Sequence, residues 1–259
     1  MSVVAILQAR MSSSRLPGKV LTQIMGKPML ELQIERVQRS NEISRLVVAT
    51  SDRLDDNPIE ELCRHLDINC YRGSLENVLD RYYQAAVKYS ASSVVRLTGD
   101  CPLADPGVID SAICLHNGGD YDYTSNTIDR TWPQGLDVEV VRFTILDKIW
   151  HDVELPSEKE HVTLHITSNQ EHFQIGYLRN ETGNYAHLRW TVDQQEDLSL
   201  VQQIYETLRP VNPSFGTDDI LDLIAKRPEL TQINANVDRQ AGQKKSYARD
   251  RQFLTGRAN

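Results

Sequence analysis

Short apolar runs rich in β-branched residues alternate with amphipathic stretches over the first 120 residues, and this alternation constrains the fold more than any other feature. Apolar runs of this length predict buried strands, and apolar residues spaced three or four apart predict helices. Strands that alternate with helices are typical of βαβ units, so we predict an α/β fold with a mostly parallel central sheet. The predicted strands cover 3–7, 45–50, 68–72 and 93–99, and the predicted helices cover 29–40, 57–67, 75–90 and 105–118.

The second half of the chain is less regular. Neither internal repeats nor a low-complexity linker divides it, so we predict a single domain over 1–235 with an inserted arm at approximately 125–185. The polar, mildly basic tail at 236–259 is predicted to be either disordered or placed on a partner subunit. Further strands are predicted at 136–141, 173–178 and 188–192, and further helices at 143–150, 157–169, 196–208 and 217–226.

Charge and composition exclude several classes of protein. A net charge of −8 argues against a general nucleic-acid binder, which would carry a basic face. No apolar run approaches the roughly 20 residues of a membrane span, and the first residues lack the basic region of a signal peptide. The four cysteines form no CxxC pair, so they indicate reduced thiols rather than a zinc ribbon. We expect a cytoplasmic protein that acts without nucleic acid or membrane.

The segment LQARMSSSRLPGKVL at 7–21 connects the first predicted strand to the first predicted helix. It is longer and more cationic than such a connection needs. It lacks the P-loop and dinucleotide-binding spacings, but it offers hydroxyls, backbone amides and the cations Arg10, Arg15 and Lys19 for a polyphosphate. Gly18 would let the backbone pass close to a ligand. The alternative, a basic surface loop, is equally favoured by composition alone.

Two aspartates follow predicted strands. Asp100 comes after the strand at 93–99, and Asp193 comes after the strand at 188–192. The carboxyl ends of parallel strands are where ligands bind in such sheets, and carboxylates there suit Mg²⁺ held between protein and phosphates. Each aspartate also has an ordinary interpretation. Taken alone, Asp100 is more typical of a turn or a helix N-cap. Asp193 is equally typical of a helix N-cap in a capping box with Glu196.

Three further groups carry weaker signals. Gln134, Asp137 and Glu139 lie near a strand start and could bind acceptor hydroxyls, with a solvated strand face as the alternative. His161 and His165 are four residues apart, but the HExxH form of a zinc site is absent. The D-x-D form at 120–122 is one that metal-dependent glycosyltransferases use.

With these residues in place, the chain resembles the cytidylyltransferases that activate acidic sugars, the CMP-Kdo and CMP-acylneuraminate synthetases. It is most similar to the branch of spore-coat polysaccharide biosynthesis protein F. The similarity runs in order from about residue 3 to about residue 235. It is carried by LQARMSSSRLPGKVL, GKPM at 26–29, RGS at 72–74, VLDRY at 78–82, RLTGDCPL at 96–103, QGLDVE at 134–139, EHVT at 160–163, TVD at 191–193 and EDL at 196–198.

This resemblance implies a Rossmann-like (GT-A-like) nucleotidyltransferase fold, usually a homodimer formed through the arm. It implies CTP and Mg²⁺ as ligands, with transfer of CMP to an acidic sugar or related acceptor, release of pyrophosphate, and a role in surface polysaccharide biosynthesis. The Kdo enzymes usually have Glu where this chain has Cys101, so the acceptor stays open. The resemblance implies triphosphate contacts from Arg10, Ser12, Ser13, Arg15 and Lys19, and a catalytic set of Arg10, Arg15, Lys19 and Asp100. It places near the nucleoside or its phosphates Arg72, Ser74, Asn77 and Arg81. It implies Asp100 and Asp193 as metal ligands, and acceptor contacts from Gln134, Asp137, Glu139 and His161.

Two rival functions stay open at this point. A GT-A glycosyltransferase would place its metal on Asp120 and Asp122 and release a nucleoside diphosphate. A non-catalytic nucleotide-binding protein would bind CTP without turnover, although it would not need two metal carboxylates.

Overall fold

The computed structural model describes residues 2–239 and the helix at 241–257, where the side chains of 241–245 and 256–257 lie outside the description. The basic side chains at 244, 245 and 257 in the predicted tail therefore lie outside the described residues. The strands are β1 (Val3–Gln8), β2 (Gln23–Ile24), β3 (Lys27–Pro28), β4 (Arg45–Ser51), β5 (Asn69–Gly73), β6 (Ser93–Thr98), β7 (Tyr123–Ser125), β8 (Glu139–Arg142) and β9 (Ile175–Tyr177). The helices are α1 (Met29–Val37), α2 (Asn57–His65), α3 (Val78–Lys88), α4 (Pro106–Gly118), α5 (Phe143–Asp152), α6 (Pro156–His161), α7 (Leu164–Ser168), α8 (Gln195–Leu208), α9 (Thr217–Lys226) and α10 (Ala241–Arg257).

A seven-stranded sheet in the order β5-β4-β1-β6-β8-β7-β9 forms the centre of the molecule. Strands β5, β4, β1 and β6 are parallel neighbours, while β8 runs antiparallel to both β6 and β7. The predicted mostly parallel α/β sheet is therefore confirmed. Each of the four strands predicted in the first half is present within two residues of its predicted ends.

Alternation along β1 explains how helices cover both faces of the sheet. Val3, Ala5 and Leu7 pack with α1, α2 and α4, whereas Val4 and Ile6 pack with α3 and α5 on the other face. Both faces are apolar because both are covered, as in parallel sheets generally. In the described part of the chain, every helix is too short or too polar to span a bilayer.

The segment 188–192, predicted as a strand, forms only an isolated bridge between Gln134 and Arg189. Leu188, Trp190 and Val192 are buried in a third apolar cluster with α8 and α9. The strand prediction was wrong because the alternating apolar residues pack against helices, where no neighbouring strand supplies a ladder.

The predicted helix at 157–169 is divided into α6 and α7. Val162 separates them with a φ of 55°, in the left-handed region that β-branched residues rarely adopt. Val162 is buried in the apolar core, which holds this conformation in place.

Residues 125–185, predicted as an inserted arm, supply β8 and β9 to the central sheet and α5, α6 and α7 to one of its sides. The tail, predicted to be either disordered or placed on a partner subunit, forms the helix α10 over 241–257. Its Asp250 Oδ1 accepts a hydrogen bond of 2.9 Å from the backbone amide of Ser157 at the start of α6.

Candidate active site

A cleft of about 430 Å³ opens at the carboxyl ends of β1 and β6. This is the edge at which ligands bind in parallel sheets. It brings together the loop after β1, the turn after β6, Asp193 before α8, the end of α6 and one side of α10. Its polar lining includes Arg10, Ser12, Ser13, Arg15, Lys19, Glu76, Arg96, Asp100, Glu160, His161, Asp193, Ser246 and Arg249.

The loop after β1 is held in a compact shape by its own backbone and by one buried carboxylate. The amide of Gly18 donates to the carbonyl of Met11 at 2.9 Å, and Gly18 has a φ of 71° that favours glycine. The amide of Met11 donates to Asp56 Oδ1 at 2.7 Å, and Asp56 also accepts from Ser51. Burial opposes ionisation of Asp56, but the bonds from Met11 and Ser51 outweigh it and lower its pKa. Asp56 is therefore ionised, and its carboxylate holds the loop in place.

Lys19 connects the two predicted metal ligands. Its ammonium lies 3.0 Å from Asp193 Oδ1 and 3.6 Å from Asp100 Oδ2, and it donates to the carbonyl of Val192 at 2.6 Å. The lysine side chain is only 10% exposed, so these contacts form largely out of solvent. Asp100 and Asp193, 93 positions apart in the sequence, therefore converge on one cation.

Asp193 carries the densest set of cationic partners in the cleft. Arg15 lies 2.6 Å from its Oδ1, and Arg189 lies 3.1 Å from its Oδ2. Burial favours the neutral carboxyl group, but Lys19 and Arg15 overcome that penalty and hold the pKa of Asp193 well below its usual range. Asp193 is therefore an anion at any physiological pH, as a ligand for cations must be.

The capping box at the start of α8 uses different residues from those predicted. Gln194 is the N-cap, and Asp197, rather than Glu196, is the third helical residue that completes the box. Asp197 also accepts a 2.9 Å hydrogen bond from the amide of Asp193 and pairs with Arg189 at 2.8 Å. The carboxylate of Asp193 is consequently free of a capping role and faces the cleft.

Close packing explains the glycine that precedes Asp100. A Cβ atom on Gly99 would lie 2.9 Å from the carbonyl oxygen of Gln8 and 3.1 Å from the Cβ of Ala9. Only glycine lets the turn after β6 approach the end of β1 this closely. The Asp100 side chain then accepts a hydrogen bond of 2.5 Å from Thr98.

The other half of the cleft is formed by α6 and α10. His161 Nε2 lies 2.8 Å from Ser246 Oγ, and Glu160 pairs with both Arg10, at 3.6 Å, and Arg249, at 3.0 Å. Burial lowers the pKa of His161, so the imidazole is neutral near pH 7. The left-handed turn at Val162 directly follows His161 and ends α6 at the cleft.

The predicted nucleoside contacts lie beside the cleft rather than among its described lining residues. Arg72 pairs with Glu60 at 2.7 Å and donates to the backbone carbonyl of Ser51. Asn77 is the N-cap of α3 and accepts from the amide of Asp80 at 3.0 Å. Arg81 is fully buried and donates to the carbonyl of Ser74 at 3.2 Å, while Ser74 Oγ accepts from the amide of Asn77.

Three of the four predicted acceptor contacts also have partners elsewhere. Asp137 forms a two-pronged pair with Arg130, at 2.5 and 3.0 Å, and the backbone of Gln134 bonds to the segment 188–191. Glu139 is buried, pairs with Arg96 and accepts from Thr163 at 2.6 Å. Among the four, His161 alone is part of the described cleft lining.

The carboxylates of the glycosyltransferase alternative are at the opposite end of the sheet. Asp122 precedes β7 and accepts from the amide of Gln174, and the side chain of Asp120 is 96% exposed beside Arg142. Asp120 borders a separate cavity next to Ser92, at the start of β6. Asp100 follows the other end of β6, so this D-x-D pair is away from the cationic loop.

Sequence reasoning did not assign several residues that line or support the cleft: Asp56, Glu76, Arg96, Glu160, Arg189, Ser246 and Arg249. Several of them have partners distant in the chain, such as Met11 for Asp56 and Glu160 for Arg249, and periodicity does not reveal such pairs. Glu160, in EHVT at 160–163, and Arg96, in RLTGDCPL at 96–103, lie in motifs that carry the resemblance.

Arg72 provides a test of this placement. We expect Arg72→Gln to change CTP affinity less than twofold, because its guanidinium is engaged by Glu60 and backbone carbonyls. Arg15→Gln is the matched variant and should weaken CTP binding roughly 10- to 100-fold, as expected for losing a charge-assisted contact. Calorimetric titration with CTP measures both. Equal losses in the two variants would place Arg72 at the nucleotide.

An α/β sheet with a cationic loop facing two carboxylates at its carboxyl edge defines a nucleotidyltransferase type of site. A family model described as cytidylyltransferase matches residues 4–240. The chain is 32% identical over 235 residues to the spore coat polysaccharide biosynthesis protein SpsF of Bacillus subtilis. The aligned region covers 88% of this chain and 95% of that protein. It is also 36% identical over 115 residues to 3-deoxy-manno-octulosonate cytidylyltransferase of Geobacter metallireducens, or 44% of each chain.

A solved structure gives the same result for the fold. A cytidylyltransferase from Leptospira borgpetersenii superposes with a TM-score of 0.85 at 31% identity, covering 92% of this chain and 98% of that one. The chain therefore belongs to the cytidylyltransferase family, and the resemblance inferred from its motifs is confirmed.

Proposed function

We propose that this enzyme transfers CMP from CTP to an acidic sugar or a related anionic acceptor and releases pyrophosphate, in the synthesis of a surface polysaccharide. The observation that carries the proposal is the convergence of Arg15, Lys19, Asp100 and Asp193 in one cleft. A cationic loop that meets two carboxylates suits a polyphosphate and its counter-cation.

The chain's own residues act mainly by positioning and by neutralising charge. The acceptor hydroxyl oxygen bonds to the α-phosphorus, its proton passes to solvent, and the bond to the leaving oxygen breaks so that pyrophosphate keeps the electron pair. Arg10, Arg15 and Lys19 stabilise the charge that develops on the phosphate oxygens. Ser12 and Ser13 offer hydroxyl donors on the same loop.

The two aspartates fit a magnesium ion shared with the nucleotide. Mg²⁺ usually takes one or two protein carboxylates and completes its shell with water and phosphate oxygens. Asp100 and Asp193 already converge on the Lys19 ammonium, with 27% and 19% of their side chains exposed. The described residues contain no group of three or more His, Cys, Asp or Glu side chains placed to hold a metal, so phosphate oxygens would have to complete the shell. When bound there, the ion would supply further neutralisation of the triphosphate charge.

The residues at 74–81 support the nucleotide side of the cleft indirectly. Arg81 and Asn77 both bond to Ser74, and the next two residues, Leu75 and Glu76, line the cleft. We assign Arg81, Asn77 and Ser74 to positioning this segment beside the nucleoside. On the acceptor side, we assign His161 to contacts with acceptor hydroxyls, as a neutral imidazole.

A pyrophosphate-release screen tests the proposed function. CTP, UTP, ATP and GTP are each incubated with Mg²⁺ and a panel of 3-deoxy-ulosonic acids, nonulosonic acids and phosphorylated small acceptors. We expect pyrophosphate release with CTP and at least one acidic sugar, and CMP attached to that sugar by mass spectrometry. Release of a nucleoside diphosphate would support a glycosyltransferase, and tight CTP binding without any product would support a sensor.

The cellular setting and the oligomeric state belong to the same proposal. The four cysteines are free thiols, which suits the reducing cytoplasm where CTP is available. We also propose a homodimer formed through the 125–185 region, where β9 stands at the end of the central sheet and Tyr177 is 42% exposed.

A further inference from the structure

The acceptor half of the cleft is completed by α10, which begins one residue after the matched family segment ends at 240. Two of its side chains, Ser246 and Arg249, line the same cleft as the cationic loop. The helix therefore adds residues to the site that lie outside the family match.

Polar contacts hold α10 firmly against α6. Asp250, only 9% exposed, accepts from the amide of Ser157, and Ser246, 3% exposed, contacts His161 at 2.8 Å. Ser246 also donates to Glu160 at 3.1 Å. Because these buried contacts fix two successive turns of α10, the position of Arg249 between them is fixed as well.

Charge in this half of the cleft favours an anion. Glu160 is shared by two guanidinium groups, those of Arg10 and Arg249, so the three groups together carry one excess positive charge. Arg96 is neutralised by the buried Glu139. Arg249 is 47% exposed and bonds Glu160 through Nη1, so part of its planar fork is open to a ligand.

We propose that Arg249 binds the carboxylate of the acceptor sugar, so that the C-terminal helix contributes a specificity-determining residue. A guanidinium matches a carboxylate in two-pronged geometry, which a lysine does not reproduce. Among the loop cations assigned to the triphosphate, Arg15 and Lys19 pair with Asp193, whereas Arg249 pairs with Glu160. We therefore assign Arg249 to the acceptor and not to CTP. This inference rests on the proposed function.

The test combines Arg249→Gln with the methyl ester of the acceptor, starting with 3-deoxy-manno-octulosonate and any other acceptor that the wild-type enzyme uses. We expect Arg249→Gln to raise the acceptor KM roughly 10- to 100-fold, the range for losing a charge-assisted hydrogen bond. The KM for CTP should stay within twofold. The wild type should prefer the acid over its ester by a similar factor, and Arg249→Gln should lose that preference. Arg249→Lys should recover only part of it.

Arg251→Gln is the matched control, since it removes the same charge from an exposed position on the same helix. Its acceptor KM should equal that of the wild type. An unchanged acid preference in Arg249→Gln, or a parallel loss of CTP affinity and thermal stability, would overturn the assignment. Failure of the proposed function has a different signature, because the wild type would then release no pyrophosphate with any acceptor, and the Arg249 assignment would fail with it.

Discussion

Replacing Lys19 with methionine should lower turnover by roughly 10²- to 10³-fold, the loss typical of removing one preorganised charge-stabilising donor. The ammonium is 3.0 Å from Asp193 and 3.6 Å from Asp100, and methionine keeps the length and apolar stem without the charge. The two carboxylates would then face each other without their shared cation. The loss should appear in kcat for pyrophosphate release as well as in CTP affinity, because phosphate charge grows as pyrophosphate departs.

Lys27→Met is the matched control for this variant. Lys27 is 39% exposed and pairs with Glu31 and Glu35 away from the cleft, so turnover of the Lys27→Met variant should match that of the wild type.

The pH dependence of stability gives a second measurement on Lys19→Met. The pKa of Asp193 in the folded protein is lowered, so its ionisation stabilises the fold at neutral pH and this contribution is lost as pH falls below about 4. In Lys19→Met the acid-induced loss of stability should be smaller. Wild-type turnover in Lys19→Met would remove this lysine from the mechanism.

Much of the fold was predictable because local patterns determine it. The apolar run of β1 and the apolar face of α1 are properties of short segments, and both elements begin where the sequence predicts. The strand predicted at 188–192 was wrong because it, too, rested on a local pattern. Its apolar residues do alternate, but Trp190 and Val192 pack against helices from later in the chain. Such a choice depends on tertiary packing that one segment does not encode.

The site was predictable to the extent that sheet topology dictates it. Arg15 and Asp100 follow strands β1 and β6, and adjacent parallel strands must bring those ends together. Glu139 was different, because its motif indicated an exposed acceptor contact, whereas β8 pairs antiparallel with β6 and sets Glu139 opposite Arg96. The local alternation of residues does not reveal that β8 enters the sheet antiparallel to β6. This direction turns Glu139, predicted to lie on the surface, into the buried counter-charge of Arg96.

Glu139→Ala should lower the free energy of unfolding by about 3–5 kcal/mol, because it leaves the buried guanidinium of Arg96 without its counter-charge. Glu139 is only 5% exposed and is also hydrogen bonded by Thr163 and Tyr123. Burial raises the pKa of this carboxyl, but Arg96 and the two hydroxyls outweigh burial and lower it, so it is ionised near pH 7. Urea denaturation at pH 7 measures the loss as a lower midpoint.

Asp137→Asn separates this structural role from acceptor binding. Asp137 pairs with Arg130 in a half-exposed position, so its replacement should cost at most about 1 kcal/mol. If Glu139 holds the sheet and its helices together, Glu139→Ala should lose stability and activity together. At low urea concentration, the remaining activity should then be proportional to the fraction of protein that is folded. A stable Glu139→Ala variant with a raised acceptor KM would give the opposite answer, that this carboxylate contacts the acceptor. The sharing of Glu139 among Arg96, Thr163 and Tyr123 favours the first result, since each of those groups would lose a buried partner.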